Sequence, residues 1–240
     1  MSRYLRAATC LICLSAFGCS PAEGQQPPKP LLIPIGSDVS SSLTPEELLD
    51  SSHVRRVCTS IAESGRGGTV AFDAIGNPSG RKLLRCAIQP NPVVDHTLPP
   101  TRKKEAEKRW KEIQQQNVRA IRVFIDSCHR RMAVPLQSNT DLNGFFVKVS
   151  RLCNEPQFAA YEKIVFANTD GLHDVTKKVK GKAVKDTALR CGLPDGVQLW
   201  VSGWESSQTC NTKYSFESPS GFTDFLHQYL TFSNSNKHGK

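Results

Sequence analysis

Along this chain, short unbroken apolar runs alternate with stretches whose apolar positions recur every three or four residues. The runs "LLIPI" (31–35), "YEKIVFAN" (161–168) and "GVQLWVSGW" (196–204) have the length and composition of buried strands. "TVAFDAI" and "RKLLRCAI" flank "GNPSG", which predicts a hairpin. Thr44 precedes Pro45 and Glu46-Glu47, the pattern of an N-cap with proline at the first helical position and acids in the first turn. That helix is expected to run to about Glu63, where "SGRGG" stops it. The stretch 101–132 reads as one long helix, heavily charged at first, with Val118, Ile121 and Ile125 on an apolar face in its second half. "DLNGFFVKVSRLC" predicts a shorter helix starting at Thr140, and "GFTDFLHQYLTF" a closing amphipathic one. Strands alternating with helices predict an α/β fold: a doubly wound, open, mostly parallel sheet with helices on both faces and one antiparallel edge hairpin.

The ends of the chain do not fit that rhythm. Arg3 and Arg6 lead into the short apolar "AATCLICLSAF", which predicts an export signal over 1–18. Its ending at Gly18-Cys19 resembles a bacterial lipoprotein signal. The resemblance implies cleavage before Cys19 and lipid on its sulfur, and a multiply acylated cysteine anchors firmly to a membrane. Residues 19–30, "CSPAEGQQPPKP", read as a Pro/Gln-rich tether and 233–240 as a disordered tail. This leaves one domain over 31–232, with a charged helical insertion near 90–116. No apolar run is long enough to cross a bilayer. The expected location is therefore periplasmic or cell-surface, with attachment through Cys19.

Cysteine usage agrees with export. Beyond the signal, Cys58, Cys86, Cys128, Cys153, Cys191 and Cys210 form an even set of disulfide candidates. Their wide spacing, with no Cys-x-x-Cys, argues against a zinc site. Cys128-His129 could be a thiol nucleophile, but half of a disulfide at a helix end is the plainer reading.

In open α/β sheets, ligands bind beyond the carboxyl ends of the strands. Two strand exits carry polar clusters. The first is Asp38-x-Ser40-x-Ser42 and the second is Thr169-Asp170-Gly171. A third piece, "SNTDLNG", places Thr140 at a helix start. Each piece alone also reads as ordinary turn or cap chemistry. Together they supply hydroxyls and carboxylates, hard oxygen donors that suit Mg2+, Mn2+ or Ca2+ rather than a soft metal.

Asp-x-Ser-x-Ser after the first strand, Thr before a helix and Thr-Asp-Gly after a later strand resemble, in this order, the metal-ion-dependent adhesion site of von Willebrand factor A domains. The resemblance implies that Asp38, Ser40, Ser42, Thr140 and Asp170 line the ion. It implies that the hydroxyls lie at or near the metal, and that one coordination position is left for a partner's carboxylate. The gap between Ser42 and Thr140 is longer than the family needs, and Thr169 is the substitute hydroxyl if Thr140 is not the ligand. The six cysteines stand outside the family pattern and are expected to pin local elements, Cys191 to Cys210 around the "GVQLWVSGW" strand among them.

The expected function is a metal-dependent adhesion or scaffold module of the cell envelope, not an enzyme, that binds a protein partner offering a carboxylate. Loss of 1–18 with Arg3 and Arg6 lowers the net charge from +9 to about +7, and this excess of Lys and Arg would speed capture of an acidic partner. One alternative is a metal-assisted hydrolase at the same site. Its only candidate base is His173-Asp174, which also reads as a surface loop pair, and neither a nucleophile elbow nor a phosphate-cradling glycine loop accompanies it. Another is an anionic-polymer or nucleic-acid binder using "TRKKEAEKRWKE" and the lysine-rich "KKVKGKAVK". Export argues against nucleic acid.

Overall fold

The computed structural model describes residues 28–39, 43–44, 47–76, 81–92, 99–133, 139–179, 182–205 and 210–235. The export signal, Cys19, most of the tether, Ser40, Ser42 and the last residues of the tail lie outside that set.

The described residues include eight strands: β1 (Leu31–Asp38), β2 (Gly68–Ile75), β3 (Leu84–Ile88), β4 (Glu162–Asn168), β5 (Val175–Val179), β6 (Lys182–Asp186), β7 (Gln198–Ser202) and β8 (Thr212–Phe216). Six of them form one sheet in the order β3-β2-β1-β4-β7-β8. Only β3 runs antiparallel to its neighbour, as the edge partner of β2. This is the expected mostly parallel α/β sheet with an antiparallel edge hairpin. The chain winds outward from β1 through β2 to β3, then returns to the other side of β1 for β4, β7 and β8. The carboxyl ends of β1 and β4 therefore flank the topological switch point, where crossovers diverge and leave a crevice.

Among the described residues four helices cover the sheet: α1 (Ser51–Ser64), α2 (Pro100–Met132), α3 (Leu142–Cys153) and α4 (Pro219–Ser235). Side chains of the central strands alternate between two cores. Leu31, Ile33, Phe166 and Trp200 pack with α1, α2 and α4. Leu32, Val165, Ala167 and Leu199 pack with α3. Burial on both faces is why these strands read as continuous apolar runs. In the first core, Phe166 stacks on Phe222 with centroids 3.6 Å apart, and Trp200 meets Tyr214 edge-on at 5.0 Å. Each large apolar side chain buried this way contributes about 1.5–3 kcal/mol. Exposed ion pairs such as Arg56–Asp224 contribute about 0–1 kcal/mol, so the aromatic core dominates.

Several local expectations need correction. The first helix starts at Ser51, not beside Thr44. Asp50 is its N-cap and accepts from the amides of Ser52 (2.8 Å) and His53 (3.1 Å), while the His53 ring receives the Asp50 amide. Thr44 and Glu47 close only a single turn, Thr44 N–H to Glu47 Oε2 at 2.8 Å. Leu49 is buried in the core just before the true helix begins. Val118 is 64% exposed rather than core-facing. Its neighbour Asn117 turns inward and exchanges two hydrogen bonds with the backbone of Gln89 (2.9 and 3.0 Å). The strands β5, β6 and β8 are not evident in the sequence pattern.

Cys191 and Cys210 form a disulfide, as expected for that stretch. The expectation that all six cysteines pair is not met: Cys58, Cys86, Cys128 and Cys153 are buried thiols. Cys58, Cys86 and Cys128 share the core beneath α1 and α2, where they pack as small apolar side chains.

Candidate functional site

At the switch point, β1 delivers Asp38 as its last residue and β4 is followed at once by Thr169 and Asp170. Asp38 is fully buried, at 0% exposure. A carboxylate so placed needs donors. Thr169 Oγ1 donates to Asp38 Oδ2 at 2.8 Å, and Thr140 Oγ1 donates to Asp38 Oδ1 at 3.3 Å. Residues 102 and 131 positions apart along the chain thus meet on one carboxylate.

Each partner is held by its own local chemistry. Thr140 is not the N-cap of α3. Asp141 takes that role, accepting the Gly144 amide at 2.9 Å. Thr140 instead forms an isolated antiparallel bridge with Asp174, with both backbone hydrogen bonds made (3.1 and 3.0 Å), and its hydroxyl reaches Asp38. Thr169 Oγ1 also accepts the Gly171 amide at 3.1 Å. Gly171 has φ of 78°, a left-handed conformation that glycine adopts without steric cost. Asp170 Oδ1 accepts the Leu172 amide at 2.9 Å, which closes an Asx turn, and the side chain is 8% exposed.

Two further residues position this rim and were not singled out from the sequence. Asn168, fully buried at the end of β4, donates to the Glu47 carbonyl (2.9 Å) and accepts from Ser202 Oγ (2.6 Å). It ties the β1–α1 connection to β4 and β7. The signal was an amide at the end of an otherwise apolar strand. Gly36 lies two residues before Asp38, and a Cβ there would fall 2.7 Å from Phe145 and from Ile75. Its lack of a side chain lets α3 sit close to the sheet.

The structure thus brings together Asp38, Thr140, Thr169 and Asp170 at one rim. Ser40 and Ser42 follow directly from β1 but lie outside the described residues. The donor set is carboxylate plus hydroxyl. Among the described residues no three His, Cys, Asp or Glu side chains come together as a metal centre, so a cation here would depend on the hydroxyls. That set fits a hard ion such as Mg2+. His173 and Asp174 are not both surface residues: only Asp174 is partly exposed. His173 is 2% exposed, and Asp174 pairs with Lys185 at 2.7 Å. The lysine-rich segment forms the β5–β6 ribbon, and the charged first half of α2 is a solvated face.

No family model matches the chain, and no curated protein does. Among solved structures, the pilus adhesin SpaC of Lactobacillus rhamnosus GG in its open conformation aligns over 86% of this chain at 13% identity and TM-score 0.47. The alignment covers 30% of the adhesin, so this chain spans less than a third of its length. An aerotolerance-related membrane protein of Bacteroides fragilis aligns over 84% of this chain and 98% of its own at 10% identity and TM-score 0.41. Likenesses this distant carry no functional argument. Among the described residues no helix is long and apolar enough to cross a membrane.

Proposed function

We propose that the rim around Asp38 is a divalent-cation site of the von Willebrand factor A type and that the chain is an adhesion or scaffold module of the cell envelope. Asp38, Thr140 and Asp170, completed by Ser40 and Ser42, would hold Mg2+ (or Mn2+ or Ca2+). A protein partner would bind by placing a carboxylate on the ion. The lipid anchor expected at Cys19 would keep the module at the membrane surface.

The observation that supports this most is the convergence of the Thr140 and Thr169 hydroxyls on the buried Asp38 carboxylate at the switch point. A hydroxyl has one proton to donate and two lone pairs to offer. With both protons given to Asp38, Thr140 and Thr169 have oxygen lone pairs as their remaining polar capacity, one of which on Thr169 accepts the Gly171 amide. A site with few carboxylates leaves the ion net positive and receptive to one more anionic oxygen.

The test is thermal unfolding with and without Mg2+, beside isothermal titration with Mg2+. A hundred-fold excess of ligand over Kd stabilises by about 2.7 kcal/mol. For a chain of this size that raises Tm by about 5–11 °C. Asp38→Ala and Asp170→Ala should each abolish the rise. A rise that persists in both variants, or no Mg2+ binding to the unaltered protein, removes the metal from the reading.

A further inference from the structure

Helix α3 covers one face of the sheet, and between it and the edge strand β3 lies a cleft of about 700 Å³. Its walls carry Arg81, Lys82, Arg85, Lys148 and Arg151 against one acid, Glu155. Leu83 and Leu152 supply the apolar part of the lining.

Two of the five cations are already satisfied. Arg85 holds Glu155 through two nitrogens, at 2.8 and 2.6 Å. Lys148 pairs with the buried Asp73, which also receives Arg131 at 3.3 Å. Arg131 in turn donates to the Lys82 carbonyl at 2.6 Å, and Lys148 Nζ lies 3.5 Å from the Arg81 carbonyl. The backbone that carries Arg81 and Lys82 is therefore tied to a buried ion triad. Among the described residues the charged ends of Arg81, Lys82 and Arg151 make no hydrogen bond or ion pair.

We propose that this cleft binds a phosphate group. Three cations without a partner among the described residues line one concave surface, and a dianion neutralises them better than a single carboxylate. Guanidinium forks match phosphate oxygens two at a time. The volume suits a small ligand, and the tethered backbone lowers the ordering cost of binding. A soluble phosphate ester and a phospholipid headgroup share this chemistry. The cleft uses none of the residues around Asp38, so the proposal does not depend on a cation there.

The experiment is titration of the full chain with inorganic pyrophosphate in excess EDTA, followed by calorimetry. It is repeated for Arg81→Ala/Arg151→Ala and for Lys103→Ala/Lys104→Ala, which removes the same charge from the exposed start of α2. Circular dichroism on each variant checks the fold. Saturable binding that weakens about ten-fold or more in the first variant and less than about two-fold in the second supports the cleft. Equal weakening in both, or no binding at millimolar pyrophosphate, overturns it. Co-sedimentation with phosphatidylglycerol vesicles against neutral ones assigns the source. Capture by anionic vesicles that pyrophosphate competes away and that Arg81→Ala/Arg151→Ala loses marks a headgroup. Pyrophosphate binding without such capture marks a soluble phosphate.

Discussion

Replacing Thr169 by valine keeps a β-branched side chain and removes only the hydroxyl. That hydroxyl makes two contacts. It donates at 2.8 Å to the buried carboxylate of Asp38, and it accepts the Gly171 amide at 3.1 Å. A hydrogen bond to a charged group contributes about 1.5–3 kcal/mol, and the amide bond adds about 1 kcal/mol. The expected loss is about 2.5–4 kcal/mol, or about 5–16 °C in Tm for a chain of this length. Thr140→Val removes a longer bond, 3.3 Å, and leaves the backbone bridge to Asp174 intact. Its expected cost is about 1 kcal/mol. Both are measured by urea unfolding in EDTA, so that no cation contributes, with the m-value as a check that only stability has changed. If Thr169→Val falls within about 0.5 kcal/mol of the unaltered protein, Asp38 does not rely on this hydroxyl. The same holds if Thr140→Val proves the costlier. The account of how the rim is held then fails.

Two other expectations concern the rest of the fold. Burial pushes the Cys128 thiol up to about 12 and the Cys153 thiol up to about 11. At pH 8 both should resist iodoacetamide in the native protein and react fully in denaturant, as read by mass spectrometry, since only the thiolate attacks. For Asp50, burial would raise the carboxyl, but hydrogen bonds from Ser52 and His53 prevail and hold it below its ordinary value. A carboxyl lowered in the folded state adds stability above its unfolded value, and that contribution is lost as pH falls below about 4. Asp50→Ala should therefore cost about 1 kcal/mol at pH 7, with the gap to the unaltered protein narrowing at pH 3 in denaturant titrations.

What the sequence revealed follows from where each residue's partners lie. Strands β1, β4 and β7 were legible because burial on both faces removes polar residues from the run. β8, "TKYSF", was not. It lies at the sheet edge with only Tyr214 and Phe216 turned toward the core, so its apolar count is too low to mark it. The β5–β6 ribbon carries lysines where a strand would carry apolar residues, and none of its described side chains belongs to either core. The start of α1 was misplaced because Thr44-Pro45-Glu46-Glu47 and Asp50-Ser51-Ser52-His53 are both acceptable caps locally. The structure uses the second, with Asp50 accepting the Ser52 and His53 amides and Leu49 buried just before it.

The same distinction explains the rim. Thr140 before "DLNG" has the local signature of an N-cap, and nothing nearby in sequence says that Asp141 will take that role instead. Only the bridge to Asp174, 34 residues on, frees the Thr140 hydroxyl for Asp38. Thr169, considered from the sequence only as a substitute, makes the shorter bond to that carboxylate. It does so because it follows β4 directly, on the same side of the sheet as Val165 and Ala167. Adjacent parallel strands β1 and β4 are in register through Ser37 and Asn168, which sets Asp38 beside Thr169. Strand register therefore fixes that contact, whereas the contact from Thr140 depends on a bridge between two connections. A change that loosens the Thr140–Asp174 bridge should release Thr140 while leaving Asp38 and Thr169 together.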